Sequence, residues 1–419
     1  MMKKKFDKLN NYVYEEVLDN GLRIYICNVK RKNIYAEMTV LYGSKDICFK
    51  KDGEDFINTY PGVAHLLEHL MYKADGEFDP SRIYEENGAA NNAFTNKKTT
   101  SYYFCGSTNF ESNLDTLLTM VSTLNVSTED VEQEKKVIRQ ELLRDADNPK
   151  YIAYKKCMEN TILNDSFRYD NGGEIDDLSK ISLDMVQKCF DYFYRPSNMF
   201  LVICGDVNPE KVIKLVKNFY KDKSFSSFEV TLKKYDEPAY VLKEKEIAHA
   251  DVSNKNIVIN YKLKKPKLDK FKMISYFKAL LVLKFGPLSQ VYDSNLRDSN
   301  YVSNIEYGSF YTDDYAFLSF NVVVWDKADE VISLIDNTLK NGSLNEEYTD
   351  VYKKLMIRDL ILDFENPGDV ASLIQNNILT YGDIHYDIYN EIRVLDVLDF
   401  KKFVSTLDFS NRCVVICEK

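Results

Sequence analysis

Two histidines four residues apart, with a glutamate between them, stand in the stretch GVAHLLEHLMY at 62–72. The chain has only four histidines in 419 residues, so half of them fall on this one segment. On a helix His65 and His69 share a face as i and i+4, and Glu68, at i+3 from His65, shares it too. Two imidazoles placed this way can hold one metal ion. The carboxylate beside them is placed to take a proton from water. The plainer alternative is a helix with two surface histidines and a glutamate, and the scarcity of histidine favours the metal reading. Leu66, Leu67 and Leu70 read as core in either case. Pro61 suits a first turn and Asp75-Gly76 a stop, which predicts a helix over 60–72.

A catalytic zinc takes three protein ligands and keeps a fourth position open, so another element must supply the third ligand. STEDVEQEKKVIRQELLRDADNP (127–149) reads as a strong helix, with a capping-box-like start at Ser127 and Asp130 and a stop at Pro149. Glu134, Ile138 and Glu141 fall on one face of it. Glu141 has apolar neighbours, Ile138 and Leu142, that could draw it inward. Glu134, two turns away, could orient a ligand histidine. Glutamates on a charged helix also make an ordinary solvated face, and spacing alone leaves both readings open. His249 and His385 read as ordinary surface or core residues.

The elements that must position these groups need more than one core, because the chain is too long for a single ordinary domain. An apolar content of 45% and an aromatic content of 13% exclude a disordered chain. The net charge of −10, with no Lys/Arg-rich block, excludes a nucleic-acid footprint and a polybasic membrane anchor. No apolar run is long enough to span a bilayer, and the basic start MMKKKFDKLNNYVYEE lacks the apolar region of a signal peptide. The eight cysteines are scattered, mostly inside apolar runs such as LRIYIC and FLVIC, with no CxxC spacing. They read as buried reduced thiols, which suits a cytoplasmic protein.

SNMFLVIC (197–204) and SNRCVVIC (410–417) lie about half a chain apart, each after an aromatic-rich helical segment. That is the spacing of two related domains. Strands are expected at 22–29, 34–42, 100–106 and 198–205, with helices at 60–72, 79–87, 110–124, 128–147 and onwards to about 194. In the second half, strands are expected at 256–263, 302–311, 315–325 and 412–418, a helix at 268–285, and helices over most of 327–405. The fold class is α+β, with two related domains, each a mostly antiparallel or mixed sheet with helices packed on one face. The expected boundaries are 1–225 and 241–419, joined by a polar linker at 226–240.

H-x-x-E-H is the inverzincin order. Around it stand LYGSKD, GAANNAFTNKKTTSYYF, NLDTLLTMV, EKKVIRQELLRDADNP and FYRPSNMFLVICGDVNP. In content and order these pieces resemble the pitrilysin/insulinase family of metallopeptidases, family M16, above all its short two-domain bacterial members. The resemblance covers residues 13–220 well and continues more faintly through the second half.

The resemblance implies a zinc peptidase with one Zn²⁺ per chain, held by His65, His69 and Glu141. Glu68 would be the catalytic base, and Glu134 would match the family's second glutamate. Asn92 and Ala93 would bind substrate backbone. The strand TTSYYFCG (99–106) would be a sheet edge to which an extended peptide adds. Active members also use an Arg and a Tyr from the second domain or from a partner subunit. In GPLSQVYDSNLRDSNYVSNIEYGSF, Arg297 and Tyr301 are only four apart, shorter than the family spacing, and Tyr307 is the other candidate. If the pair is missing, a related subunit must supply it. The expectation is therefore a dimer, with a related M16 chain or with a second copy. Two functions follow: an endopeptidase acting on peptides or unfolded segments, or a metal-bearing subunit that binds peptides or a partner without cleaving alone.

Overall fold

RIYICN and MFLVICG are apolar runs too short for helices. In the computed structural model they lie side by side as parallel strands, with Cys27 opposite Cys204. The structure describes residues 1–419 except 77, 227, 288, 290, 293–301 and 343–346. The strands are β1 (Met2–Lys5), β2 (Tyr12–Val17), β3 (Arg23–Asn28), β4 (Ile34–Val40), β5 (Cys48–Lys51), β6 (Ile57–Asn58), β7 (Ala90–Thr95), β8 (Thr100–Gly106), β9 (Met199–Gly205), β10 (Val230–Leu232), β11 (Lys245–His249), β12 (Lys255–Lys264), β13 (Val302–Tyr311), β14 (Tyr315–Val324) and β15 (Arg412–Glu418). The helices that position the site are α1 (Val63–Leu70), α2 (Pro80–Glu86), α3 (Phe110–Ser122), α4 (Thr128–Ala146) and α5 (Pro149–Thr161).

The chain is α+β and divides into two compact units. The first comprises Met1–Leu142, Tyr169–Lys233 and Asp359–Asn390; the second comprises Leu143–Arg168, Lys234–Arg358 and Glu391–Lys419. The first contains a sheet of order β1-β2-β3-β9-β4-β8-β7 and a small sheet β10-β5-β6; the second contains β11-β15-β12-β14-β13. The short sequence repeat becomes β9 and β15. β9 runs between parallel β3 and antiparallel β4, and β15 between parallel β11 and antiparallel β12. Renumbered along the chain, the last five strands of the seven-stranded sheet and the five strands of the second unit have the same spatial order.

Each unit takes one helix from the other half of the sequence. Helix Pro367–Tyr381 packs on β4 and β9 of the first unit, and α5 packs on β12 and β15 of the second. Both helices start with Asn-Pro. Asn366 and Asn148 cap them by accepting the N–H of Gly368 and Lys150, and the proline takes the first helical position. Pro149 therefore opens α5 as well as following the end of α4. Contiguous boundaries at 225 and 241 anticipate neither transfer.

The first unit's sheet buries Met38, Tyr102 and Phe104 on the face covered by α1 and α3. On the other face Gln375 of the transferred helix donates to Glu37, and to Thr39 and Ser101 at 2.9 Å each. Burial pushes the Glu37 carboxyl upward, against the hydrogen bonds it accepts from Ser101, Tyr35, Thr39 and Gln375.

One expectation about this sheet is corrected. Thr99–Gly106 is not its edge, because β7 pairs along the outer side of β8, with Asn92 opposite Tyr103, and takes the edge position. ANNAFT is short and half polar, so no strand was expected from it.

Candidate metal centre

Gly62 sits at φ 96°, in the left-handed region, so α1 starts at Val63 rather than at residue 60. Val63, Leu66, Leu67 and Leu70 are buried and fix the rotation of this short helix. That rotation turns His65 and His69 outward together, with ring centroids 4.7 Å apart.

α4 brings the third carboxylate. Its start is a true capping box: Asp130 accepts the Ser127 N–H at 2.8 Å, and the Ser127 hydroxyl accepts the Asp130 N–H at 3.2 Å. Val131, Ile138 and Leu142 are buried, which holds Glu141 towards α1. Glu141 Oε2 lies 4.0 Å from His65 Nε2 and 3.8 Å from His69 Nε2. Ligand atoms of the three residues lie within 4.8 Å of one another. In a tetrahedral zinc site with bonds of about 2.0–2.1 Å, ligand atoms stand about 3.4 Å apart. The two gaps to Glu141 are about half an ångström wider.

Glu134 Oε2 lies 3.3 Å from His69 Nδ1, and Glu134 Oε1 lies 3.2 Å from Lys73 Nζ. A carboxylate facing Nδ1 favours the proton there and leaves the Nε2 lone pair towards Glu141. Burial, with His69 close by, pushes the His65 imidazolium down to about 4. His65 is then neutral at neutral pH, the state in which imidazole binds a metal. Its Nδ1 is buried without a hydrogen-bond partner among the described residues. Glu68, on the same helix, has its carboxyl pushed up by burial, against a hydrogen bond from the Thr95 hydroxyl at 2.5 Å. Three carboxylates around two imidazoles suit a divalent cation, and the donor set of two histidine nitrogens and a glutamate oxygen fits zinc.

The sequence reading missed the loop at 169–173. A Cβ on Gly172 would stand 2.9 Å from Leu142 and 3.6 Å from His65 Nδ1. Gly173 has φ +81°, and a Cβ there would lie 2.3 Å from the Pro61 carbonyl oxygen. The glycine pair thus lets the loop seat against the start of α1. The adjacent glycines, in a chain with fifteen, were the available signal for a close backbone approach. Gly173→Ala is expected to cost about 1–2 kcal/mol from the left-handed backbone alone, more with the clash. Chemical denaturation of the variant measures this.

The other expected site residues are distributed as follows. Asn92 and Ala93 lie on the edge strand β7; Asn92 is exposed, and its side chain accepts the Ala93 N–H at 2.9 Å. Arg297 and Tyr301 lie outside the described residues. Tyr307, on β13, is half-buried against Phe285 and Phe320. Among the described residues no helix is long and apolar enough to cross a membrane.

Residues 57–171 match the family model for insulinase (peptidase family M16), and residues 180–353 match that for the peptidase M16 inactive domain. The protein named uncharacterized zinc protease YmfH, from Bacillus subtilis, is 30% identical over 94% of this chain and 92% of its own length. The zinc protease PqqE of Helicobacter pylori is 26% identical over 86% and 83%. The crystal structure of an M16-like peptidase from Alicyclobacillus acidocaldarius shares the fold, with a TM-score of 0.92 at 22% identity over 99% of this chain and 100% of that one. With the fold, both domain models and a relative matched along nearly its whole length in agreement, this chain belongs to the insulinase family of peptidases, M16.

Proposed function

We propose that this protein is a zinc-dependent endopeptidase acting on flexible peptides or unfolded segments. The observation that carries this reading is the convergence of His65 Nε2, His69 Nε2 and Glu141 Oε2, with Glu68 on the same turn. His65, His69 and Glu141 would hold the metal, and Glu134 would orient His69 through Nδ1. When bound, zinc supplies Lewis acidity, which acidifies water and polarises a peptide carbonyl. Glu68 takes the proton from the attacking water and returns it to the leaving amine. The edge strand β7 offers backbone groups to an extended peptide, a form of pairing that tolerates many sequences and requires a flexible substrate. Asn92 and Ala93 belong to that edge and would meet the substrate backbone. The names of the relatives YmfH and PqqE, both zinc proteases, support the same chemistry.

We propose further that it works as a dimer, with a related M16 chain or a second copy contributing the Arg/Tyr pair. The packing of Tyr307 between Phe285 and Phe320 supports this, because that tyrosine is already engaged within its own unit. The eight cysteines are free thiols, all but Cys105 buried, which supports a reducing, cytoplasmic setting.

The test is metal analysis with a peptide assay. The purified chain is expected to hold about one zinc, and chelation is expected to abolish hydrolysis of a flexible peptide. A chain that binds no zinc would overturn the reading. Hydrolysis that appears only when a co-encoded relative is added would establish the partner-dependent form.

A further inference from the structure

We propose that Thr95 is a positioning residue for Glu68, held in place by a brace from the loop at 169–173. The proposal rests on the assignment of Glu68 as the base. Thr95 is the last residue of β7, and its hydroxyl donates to Glu68 Oε2 at 2.5 Å. That hydroxyl has one proton. The neighbouring Thr100 hydroxyl donates its own proton to the Tyr42 carbonyl at 3.0 Å, so towards Thr95 it could only accept, and at 3.4 Å it is much the more distant acceptor. The Thr95 proton is therefore directed to Glu68, and it fixes which way the carboxylate faces on a helix that offers it no other side-chain partner among the described hydrogen bonds.

The strand end is itself fixed from two sides. Asn171 Nδ2 donates to the Thr95 carbonyl at 3.1 Å, while Asn171 Oδ1 accepts from the Ser44 hydroxyl at 2.8 Å. The turn that follows Thr95 is closed by Asn96, whose side chain accepts the N–H groups of Lys98 and Thr99. Ser44 N and Lys45 N then bond the carbonyls of Asn96 and Lys97 at 2.9 and 3.2 Å. Gly43 makes this possible, because a Cβ there would meet the Lys97 carbonyl carbon at 2.5 Å. The loop at 169–173 that carries Asn171 also sets Gly172 and Gly173 against His65 and Pro61. One segment thus registers both the first histidine and the strand whose last residue orients the glutamate.

Thr95→Val keeps the shape and strand propensity of the side chain and removes the donor; Thr95→Ser keeps the donor. In the zinc-loaded full-length protein, T95V is expected to retain its zinc and its KM for a flexible fluorogenic peptide, while kcat falls about 10- to 100-fold. T95S is expected to restore most of that loss. Crystal structures of the zinc-loaded wild type and T95V supply a readout independent of turnover: the Glu68 carboxylate is expected to leave its wild-type position or to split between rotamers. Glu68 unmoved in T95V overturns the proposal whatever the rate does. If T95V fails to fold, Asn171→Ala, which keeps the hydroxyl but releases the strand end, is expected to lower kcat several-fold with Glu68 displaced; no displacement would overturn the proposal equally. A wild-type chain without hydrolytic activity counts against the proposed function alone, since the position of Glu68 in T95V still decides this one.

Discussion

Glu68→Gln is expected to reduce kcat by about 10²- to 10⁴-fold while zinc stays bound at the wild-type stoichiometry. The substitution preserves side-chain length and leaves a carbonyl oxygen that can still accept from Thr95, so the geometry around α1 is disturbed little. What it removes is the ability to accept a proton from water and pass it on. The residues proposed to hold the metal, His65, His69 and Glu141, are unchanged, so zinc content separates a failed base from a failed metal site. Steady-state kinetics and metal analysis on one preparation check both halves. Retained turnover would remove Glu68 as the base, and loss of zinc would move it among the ligands. By contrast, Glu141→Ala would remove a proposed ligand, and its first effect is expected in the metal content.

The second large effect concerns stability, in the second unit. Lys262 on β12 and Glu237 form an ion pair at 2.7 Å whose side chains are 1% and 2% exposed. Lys262 Nζ also donates to the carbonyls of Thr161 at 2.8 Å and Tyr240 at 3.3 Å. Glu237 accepts the backbone N–H groups of Leu163, Asn164 and Asp165 at 2.9, 2.8 and 2.8 Å. Lys262→Met would leave the carboxylate buried without its cation, and two carbonyls without their donor. The expected cost is about 3–5 kcal/mol, and in a unit of this size that lowers the melting temperature by about 6–20 °C.

The pH dependence gives this prediction a second handle. Burial alone would raise the Glu237 carboxyl, but Lys262 and the three amides outweigh it and hold it below its ordinary value. A group depressed in the folded state adds stability above the ordinary carboxylate range, and that stability is lost as the pH falls through the lowered folded value. Without Lys262 the carboxyl takes up its proton at higher pH. The gap between wild type and variant should therefore narrow in acid, which thermal melts across a pH series will measure.

Much of this architecture was legible because it rests on local pattern. The apolar runs at 23–28, 34–40 and 199–205 became central strands, and the strand at 412–418 appeared at the residues expected. The elements that escaped are those whose strand character comes from their neighbours. MKKK and YVYEEV are charged or mixed, ANNAFT is half polar, and KEIAH is a short charged edge. Such segments become strands when a sheet edge offers them a partner, and the sequence does not record that offer. The helical stretch expected after Pro149, on to about 194, breaks into α5 and later helices, because the segment around 169–173 has to reach α1.

The site was legible to the extent that it lay on single helices. His65, Glu68 and His69 share a turn, so their relation follows from helical geometry alone. Glu141 stood between two readings until Ile138 and Leu142 were seen to be buried and its carboxylate within 4.0 Å of both histidines. Thr95 and Asn171 could not be read in advance. Their roles depend on a strand end and a loop seventy-six residues apart meeting at one hydrogen bond.

The transfer of helices between halves bears on how such a protein can be inherited and recombined. A polypeptide ending near residue 230 would retain both histidines and Glu141 but lose residues 367–381, and with them Gln375, the donor that registers a helix over Glu37, Thr39 and Ser101. The complementary piece would lack α5, which covers β12 and β15. A crossover at the apparent linker would give two incomplete modules, each with a sheet stripped of one covering helix.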